Sequence, residues 1–374
     1  LMRKMGKMSF LTIGDILGKI QISVKLDMIG EEAYKDFKAN YDIGDFIGVE
    51  GETFTTHTGE KTVRANSIMF LGKALKPLPE KFHGVEDVET IYRERYLDLI
   101  MNDDSKKKFL FRSRFIHEIR NYLDAAGYVE IETPILNNKA SGAAAKPFIT
   151  HHNALDKEFY LRIATELPLK RLIVGGLEKV YEIGRLFRNE GMDLTHNPEF
   201  TTIELYEAYG DLSSMMRITE GMIRHTAKKV ADKEVFTNIF DVEGEKIDLS
   251  KPFRVVTMCD MILQETGIDF KKNHYTLEEA KALAEKHGVA VEKHFTVGHI
   301  INAFFEKFCE EKLIQPTFLC GHPVEISPLA KKCPNNKKMT ERFEVFIGGR
   351  EYGNAFSELN DPIDQYERFK KQVE

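Results

Sequence analysis

Residues 76–79, Lys76-Pro77-Leu78-Pro79, separate two stretches of sequence that no single packed layer could share. Two prolines in four residues stiffen the backbone and remove hydrogen-bond donors, so the segment reads as a linker. Before it lie short strand-like runs broken by turn signals. After it lie amphipathic helices with irregularly spaced strands. The expectation is two domains, residues 1–76 and 80–374, joined by the linker 77–79. A chain of 374 residues with 42% hydrophobic content can fill two cores.

In the first part, strand-like residues cluster at 20–24, 46–50 and 62–64. Ile43-Gly44-Asp45 and Thr58-Gly59-Glu60 supply turns between them, and residues 31–38 read as a helix. This pattern fits a small β-barrel of the OB type, with another small barrel or sandwich as the alternative.

In the second part, Phe109, Ile116, Ile119 and Leu123 fall on one face of a helix expected over 106–126, with Gly127 at its stop. A strand is expected over 128–133, ending at Pro134, then a helix over 167–174 and a strand-rich stretch over 179–209. Residues 212–230 read as an amphipathic helix whose Leu212, Met215, Met216, Met222 and Ile223 are core candidates. Residues 235–330 read as an insertion with two helices. Thr276 and Glu279 form a capping box for the first, which Gly288 closes; Ile300, Ile301, Phe304, Phe305 and Phe308 mark the second. Strands return at 343–347 and 354–358. Strands and helices do not alternate regularly, so the class is α+β with an antiparallel sheet.

Composition excludes more than it identifies. No apolar run is long enough to cross a bilayer, and no signal-peptide pattern opens the chain. The chain begins at Leu1, so preceding residues are expected to be missing. Cys259, Cys309, Cys320 and Cys333 form no CxxC pair and read as free thiols of a reducing cytoplasm. A net charge of −6 does not favour nucleic acid as a partner, although a local basic face could bind it. Lys106-Lys107-Lys108 and the lysine-rich residues 331–338 read first as solvated surface.

Three groups of residues carry chemistry. Arg188, Glu190, His196 and Phe200 belong to a hairpin presenting a cation, an acid, an imidazole and a ring. Arg188 and Glu190 are expected on one strand face, the arginine suited to a phosphate and the ring to a base. No Walker loop or G-x-G-x-x-G occurs, so any nucleotide binds without a glycine-rich cradle. Glu344, Glu351 and Glu358 lie on mostly apolar strands around a tight Gly348-Gly349 reversal. Acids there face solvent, a metal or a cationic ligand, and Mg²⁺ is the metal that suits hard carboxylate oxygens. Glu166, at a helix start, and Glu204, on an alternating strand, could join Glu358 in a pocket for an ammonium group.

These strings resemble a known family. The Arg188/Glu190/His196/Phe200 hairpin is similar to motif 2 of the class II aminoacyl-tRNA synthetases, and residues 127–134 resemble motif 1, whose proline belongs to a dimer interface. The N-terminal barrel with these motifs resembles subclass IIb, the lysyl, aspartyl and asparaginyl enzymes. Residues 142–153 and 356–361 resemble segments of the lysyl branch. The resemblance spans essentially the whole chain and implies a ligase that activates lysine with ATP and loads it onto tRNA(Lys), as a cytoplasmic homodimer. It implies that Arg188 is the catalytic arginine, gripping the α-phosphate and the lysine carboxylate. Glu190 and His196 would help hold ATP, and Phe200 would stack on adenine. Glu344 and Glu351 would bind Mg²⁺. Gly142, Glu166, Glu204, Tyr206, Asn354, Phe356 and Glu358 would form the lysine pocket. Phe10 and Gln21 would contact anticodon bases, while Ser67 stands where many relatives carry an anticodon-reading glutamate. A third motif is expected beyond Glu374, and the sequence as it stands is expected to activate lysine poorly without it. The rivals are an aspartyl or asparaginyl enzyme, disfavoured by the acidic pocket, and a non-catalytic RNA-binding paralogue, disfavoured by retention of the charged residues.

Overall fold

The computed structural model describes residues 2–78, 86–139, 142–143, 145–193, 196–237 and 246–373. Pro79 of the linker, Ala144, and residues 194–195 of the hairpin loop lie outside the described residues. The chain divides into two compact units, Leu1–Leu110 and Phe111–Glu374.

In the first unit, strands β1 (Met2–Lys4), β2 (Met8–Gly14), β3 (Lys19–Lys25), β4 (Phe46–Thr55) and β5 (Lys61–Gly72) form one sheet in the order β1-β2-β3-β5-β4. Helices α1 (Leu26–Ile29) and α2 (Glu31–Asn40) connect β3 to β4. Alternation decides the two faces. Leu11, Ile22 and Val24 turn inward and are buried with Tyr34, Phe37 and Tyr41 from α2 and its end. Tyr34 and Phe37 are three apart on one face of α2, which is how the helix closes this core. Helices α3 (Val88–Arg93) and α4 (Arg95–Met101) follow, and α5 (Asp103–Ala125) continues into the second unit.

In the second unit, β6 (Val129–Glu130) pairs parallel with the long strand β10 (Lys179–Phe187), which pairs antiparallel with β11 (Glu199–Glu207). Between β6 and β10 come a small sheet of β7 (Leu136–Asn137), β8 (Ile149–His152) and β9 (Lys157–Leu161), then helix α6 (Glu166–Val174). Next come α7 (Leu212–Ala231) and the hairpin of β12 (Val235–Thr237) and β13 (Lys246–Asp248). Strands β14 (Arg254–Thr257), β15 (Thr317–Cys320), β18 (Arg342–Ile347) and β19 (Arg350–Phe356) form a four-stranded sheet. Helices α8 (Met258–Thr266), α9 (Leu277–Lys286) and α10 (Val297–Phe308) stand between β14 and β15. Short strands β16 (Lys332–Cys333) and β17 (Asn336–Thr340) precede β18, and α11 (Pro362–Val373) ends the described chain. Most pairings are antiparallel, as the mixed sequence pattern implied.

Local signals held where they were strong. Thr276 and Glu279 exchange the hydrogen bonds of a capping box at α9. Val289 N–H donates to Ala284 O over 2.8 Å, closing that helix at Gly288. Met215, Met216 and Ile223 of α7 pack against a core that includes Phe253, Phe318 and Phe343, so those methionines fill a core. At the turn between β18 and β19, Gly348 and Gly349 have φ of 63° and 71°, the left-handed pair such a tight hairpin requires.

Three expectations need correction. The strand expected over 128–133 pairs in register only at Val129 and Glu130; Ile131 N–H makes one more bond to Tyr181 O, and Thr133 already bonds the buried Glu182 side chain. Phe109 is 49% exposed rather than part of the core face of α5, whereas Leu123 is fully buried. Three helices rather than two lie between β14 and β15, α8 being short and beginning directly at the end of a strand. Among the described residues, no helix is long and apolar enough to cross a membrane.

Candidate functional site

The β10–β11 hairpin is the frame of the site. Its register pairs nine residues, from Lys179 with Glu207 to Phe187 with Glu199. Phe200, Glu204 and Tyr206 are separated by even numbers on β11 and share one face. Arg188 and Glu190 do not sit on a strand face, as expected from sequence, because the paired strand ends at Phe187. Arg188 keeps one last bond across the hairpin, and the backbone then turns to another partner. Arg188 N–H donates to Pro198 O at 2.8 Å, and Asn189 N–H to Lys146 O at 2.7 Å. Glu190 Oε1 accepts from Lys146 N–H at 3.3 Å, a second bond between Lys146 and this end of the hairpin. The Arg188 guanidinium lies 5.3 Å from the centre of the Phe200 ring and donates from Nε to Ile163 O at 3.4 Å. His196 is exposed, with Nδ1 2.8 Å from Asp193 Oδ2.

Beneath the hairpin is a buried network that sequence reasoning missed. The Arg162 guanidinium pairs with Glu182, each side chain 4% exposed. Arg162 Nη1 also donates to Thr133 O at 3.0 Å, and Nε to Arg185 O at 2.8 Å. Thr133 Oγ1 donates to Glu182 Oε2 at 2.6 Å. Gly184 is where the guanidinium crosses the strand: a Cβ there would lie 2.2 Å from Arg162 Nη2. A glycine inside a strand is the one sequence signal of such a close approach.

The structure brings most of the proposed lysine-pocket residues together. Thr165 N–H donates to Glu204 Oε1 at 3.2 Å, and the Tyr206 hydroxyl to Glu204 Oε2 at 3.3 Å. A Cβ on Gly142 would lie 2.9 Å from Ala164 Cβ and 3.6 Å from Glu166 Cβ, so this glycine lets two segments touch. Lys170, one turn along α6 from Glu166, donates to Glu166 Oε1 at 2.7 Å and to Glu358 Oε1 at 2.8 Å. Its ammonium also lies 5.9 Å from the Tyr206 ring centre and 5.8 Å from that of Phe356. Desolvation, with the charge of Glu166, pushes the Glu204 carboxyl above the usual range against its hydrogen bonds. Desolvation and Glu166 also push Glu358 up, although Lys170 pulls the other way. An excess of carboxylate over cation is the mark of a site for a positively charged group. Asn354 stands opposite Glu344 on β19, and its amide lies 3.5 Å from Glu351 Oε1.

Glu344 and Glu351 line a cavity of about 290 Å³ with Glu306 and Glu310 of α10 and its end, Asn302 and Arg342. Glu306 and Glu310 had not been singled out, because acids on an amphipathic helix ordinarily face water. Desolvation works to raise Glu344, but His322, with Nε2 3.3 Å away, and the Arg342 guanidinium hold it below the usual carboxylate range. Glu351 reaches solvent, yet the surrounding protein and the charge of Glu344 push its carboxyl up. Desolvation and the charges of Glu306, Glu344 and Glu351 likewise push Glu310 up. Hard oxygen donors with crowded negative charge fit Mg²⁺. Among the described residues no three His, Cys, Asp or Glu side chains converge into an all-protein metal cage. Mg²⁺ commonly takes one or two carboxylates and completes its shell with water and substrate phosphate, so the donors present fit that ion.

In the first unit, Phe10 and Gln21 lie on adjacent antiparallel strands, Phe10 opposite Ser23 and Thr12 opposite Gln21, so both occupy the outward face. Gln21 Oε1 accepts from Thr62 Oγ1 at 2.8 Å. Ser67 pairs in register with Glu50, and its hydroxyl lies 3.5 Å from Glu50 Oε2. A carboxylate therefore stands beside this position from the neighbouring strand.

The profile of the tRNA synthetases class II (D, K and N) matches residues 87–374, and that of the OB-fold nucleic acid binding domain matches residues 1–71. A lysine–tRNA ligase of Streptococcus pneumoniae (strain CGSP14) is 59% identical over 373 residues, 99% of this chain and 74% of the relative. A lysine–tRNA ligase of Lactococcus lactis subsp. lactis (strain IL1403) is 58% identical over 372 residues, with the same two shares.

Proposed function

The chain belongs to the class II tRNA synthetases (D, K and N), and we propose that within this family it acts as a lysine–tRNA ligase. It activates lysine with ATP to lysyl-adenylate and transfers the lysyl group to the 3′ end of tRNA(Lys). The observation that carries the choice of lysine is the acid-rich pocket. Glu166 and Glu358 both bond one ammonium there, Glu204 adds a third carboxylate, and Tyr206 and Phe356 turn ring faces toward it. Three carboxylates against one internal cation leave an excess negative charge, which suits the ammonium groups of lysine and repels the side chain of aspartate.

In this reading the lysine carboxylate faces Arg188. A carboxylate oxygen attacks the ATP α-phosphorus in line, and the bond to the β-phosphate oxygen breaks, releasing pyrophosphate. Arg188 stabilises charge on the α-phosphoryl oxygens, and Phe200 offers a ring face for adenine. Glu190 and His196 hold the nucleotide from the hairpin tip. Glu344 and Glu351 would hold Mg²⁺, whose charge would neutralise that of the phosphates. A hydroxyl of the tRNA terminal adenosine then attacks the lysyl carbonyl, and AMP leaves. Much of the rate comes from holding the reacting atoms in line.

The barrel reads the anticodon through its outward face, Phe10 stacking on a base and Gln21 hydrogen-bonding one. Two copies pair through residues 127–134; Val129 is exposed there, as are Phe111 and Phe115 of α5. The protein works in the cytoplasm. Amino-acid-dependent exchange of pyrophosphate into ATP, run on a protein that carries the third motif as well, tests the assignment. Lysine supports exchange and aspartate does not; exchange with aspartate alone overturns the reading.

A further inference from the structure

Lys170 stands out because its partners are the residues assigned to the substrate. A lysine four residues after a glutamate on a helix ordinarily makes one exposed ion pair with it. Here the side chain is 22% exposed, and a second carboxylate, Glu358, arrives from 188 residues away at 2.8 Å. The Tyr206 and Phe356 rings complete the surroundings at 5.9 and 5.8 Å. Two carboxylates and two ring faces make a recognition site for an alkylammonium ion. The ammonium found in that site is the chain's own.

From this we infer that Lys170 is a built-in competitor for the lysine pocket, and that substrate lysine binds by displacing its ammonium from Glu358 and the two rings. The inference rests on the reading that Glu166, Glu204, Tyr206, Phe356 and Glu358 form that pocket. Glu166 is the partner that Lys170 keeps, since the two share a helix face. Glu358 and the ring faces are what it yields, because a second ammonium cannot share them without like-charge repulsion. The four-carbon stem of lysine makes the swing feasible. Two consequences follow. The acids stay paired when no substrate is bound, so the pocket does not hold its carboxylates wholly uncompensated. The measured affinity for lysine is the intrinsic affinity reduced by the fraction of molecules in which Lys170 has let go. A ligand must then outcompete a lysine side chain to enter, which disfavours amines that reach Glu358 less well than lysine does.

Calorimetric titration of L-lysine into the protein, the Lys170→Met variant and the Glu358→Gln variant tests this. Methionine keeps much of the apolar stem and removes the charge. Lys170→Met is expected to bind lysine at least about threefold more tightly, as removal of a competitor requires. Glu358→Gln is expected to bind it far more weakly. A second measurement uses protein labelled with ¹⁵N at lysine side chains and unlabelled L-lysine as ligand. The Lys170 ammonium resonance, assigned by its loss in Lys170→Arg, is expected to be shielded from solvent exchange in the free protein and to lose that shielding on saturation. If Lys170→Met binds lysine as well as the unaltered protein or more weakly, or if the shielded resonance persists at saturation, the competitor is overturned while the pocket stands. If the unaltered protein does not bind lysine, or Glu358→Gln binds it normally, the pocket falls and the competitor with it. Should Lys170→Met fold poorly, the resonance alone decides.

Discussion

Gly184→Ala tests the frame on which the whole site rests. The new Cβ would lie 2.2 Å from Arg162 Nη2, 3.1 Å from Glu182 Oε1 and 3.3 Å from Arg162 Cζ. A contact with the far end of an arginine is normally relieved by moving the arginine. Arg162 cannot move freely, because its guanidinium donates to Arg185 O, Thr133 O and Glu182 in a buried layer. Moving it breaks the pair and leaves Glu182, 4% exposed at its side chain, without its cation. Uncoupling a buried ion pair costs roughly 3–5 kcal/mol. Alanine recovers about 0.5–1 kcal/mol because glycine is a poor strand residue. The net expectation is a loss of about 2–4 kcal/mol, or a fall in midpoint temperature on the order of 10 °C for a unit of this size. The chain has no tryptophan, so unfolding is followed by circular dichroism, reading the transition of the second unit. Gly191→Ala is the control, since a Cβ there meets nothing within 4 Å, and it is expected to change stability by less than about 0.5 kcal/mol. If Gly184→Ala is as stable as Gly191→Ala, the guanidinium is not pinned as argued.

Two further predictions concern ligands. Arg188→Ala is expected to slow lysine-dependent pyrophosphate exchange by about 100-fold or more, the typical loss when one donor to developing charge is removed; normal exchange contradicts the role assigned to Arg188. Lysine affinity is expected to fall as pH drops, because the pocket binds cations only with its carboxylates ionised. Glu204 and Glu358 titrate above the ordinary carboxylate range, so the fall begins at higher pH than an ordinary glutamate near about 4.3 would give. Titrations between neutral pH and about 4.5 check this, and an affinity flat over that range refutes it.

How much of this was legible depended on the range of the interaction. The hairpin, α7 and the capping box of α9 were readable because their signals are local: alternation, a 3.6-residue period, and a threonine three residues before a glutamate. Of the acids proposed for the pocket, Glu204 stands on an alternating strand and Glu166 opens α6, as read from sequence, whereas Glu358 lies past the end of β19 rather than on it. Arg162 with Glu182 was not readable. The two are 20 residues apart, and an arginine on a short strand end looks like surface until the fold buries it. Glu306 and Glu310 were unreadable for a related reason, since periodicity gives a helix its polar face but not what that face will meet. The end of β10 at Phe187 was hidden because the hairpin makes one further backbone bond, Arg188 N–H to Pro198 O, before Asn189 N–H turns to Lys146 O of an earlier segment. Lys170 was not singled out from sequence, and only the fold shows it between Glu166 and Glu358.

Arg162 and Glu182 have a physical role that the ligand-facing acids cannot have. A site that must accept ammonium groups at one end and phosphates with their cation at the other needs uncompensated charge facing its ligands. Glu204 and Glu358 at one end, and Glu310 and Glu351 at the other, are each pushed toward protonation by desolvation and by neighbouring acids. Such groups do not stabilise the fold that presents them, so stability has to come from pairs that face away from ligand. Arg162 with Glu182, locked through Thr133 and Arg185, is such a pair directly beneath the hairpin. Its hydrogen bonds to Thr133 and Arg185 are what let a buried ion pair be tolerated there. Of the acids a family pattern marks, Glu204 and Glu351 keep their charge open for ligand, whereas Glu166 and Glu358 share Lys170 and Glu344 is paired with Arg342. The residues that hold them in place are closed networks, and a closed network leaves little trace in sequence beyond a glycine such as Gly184.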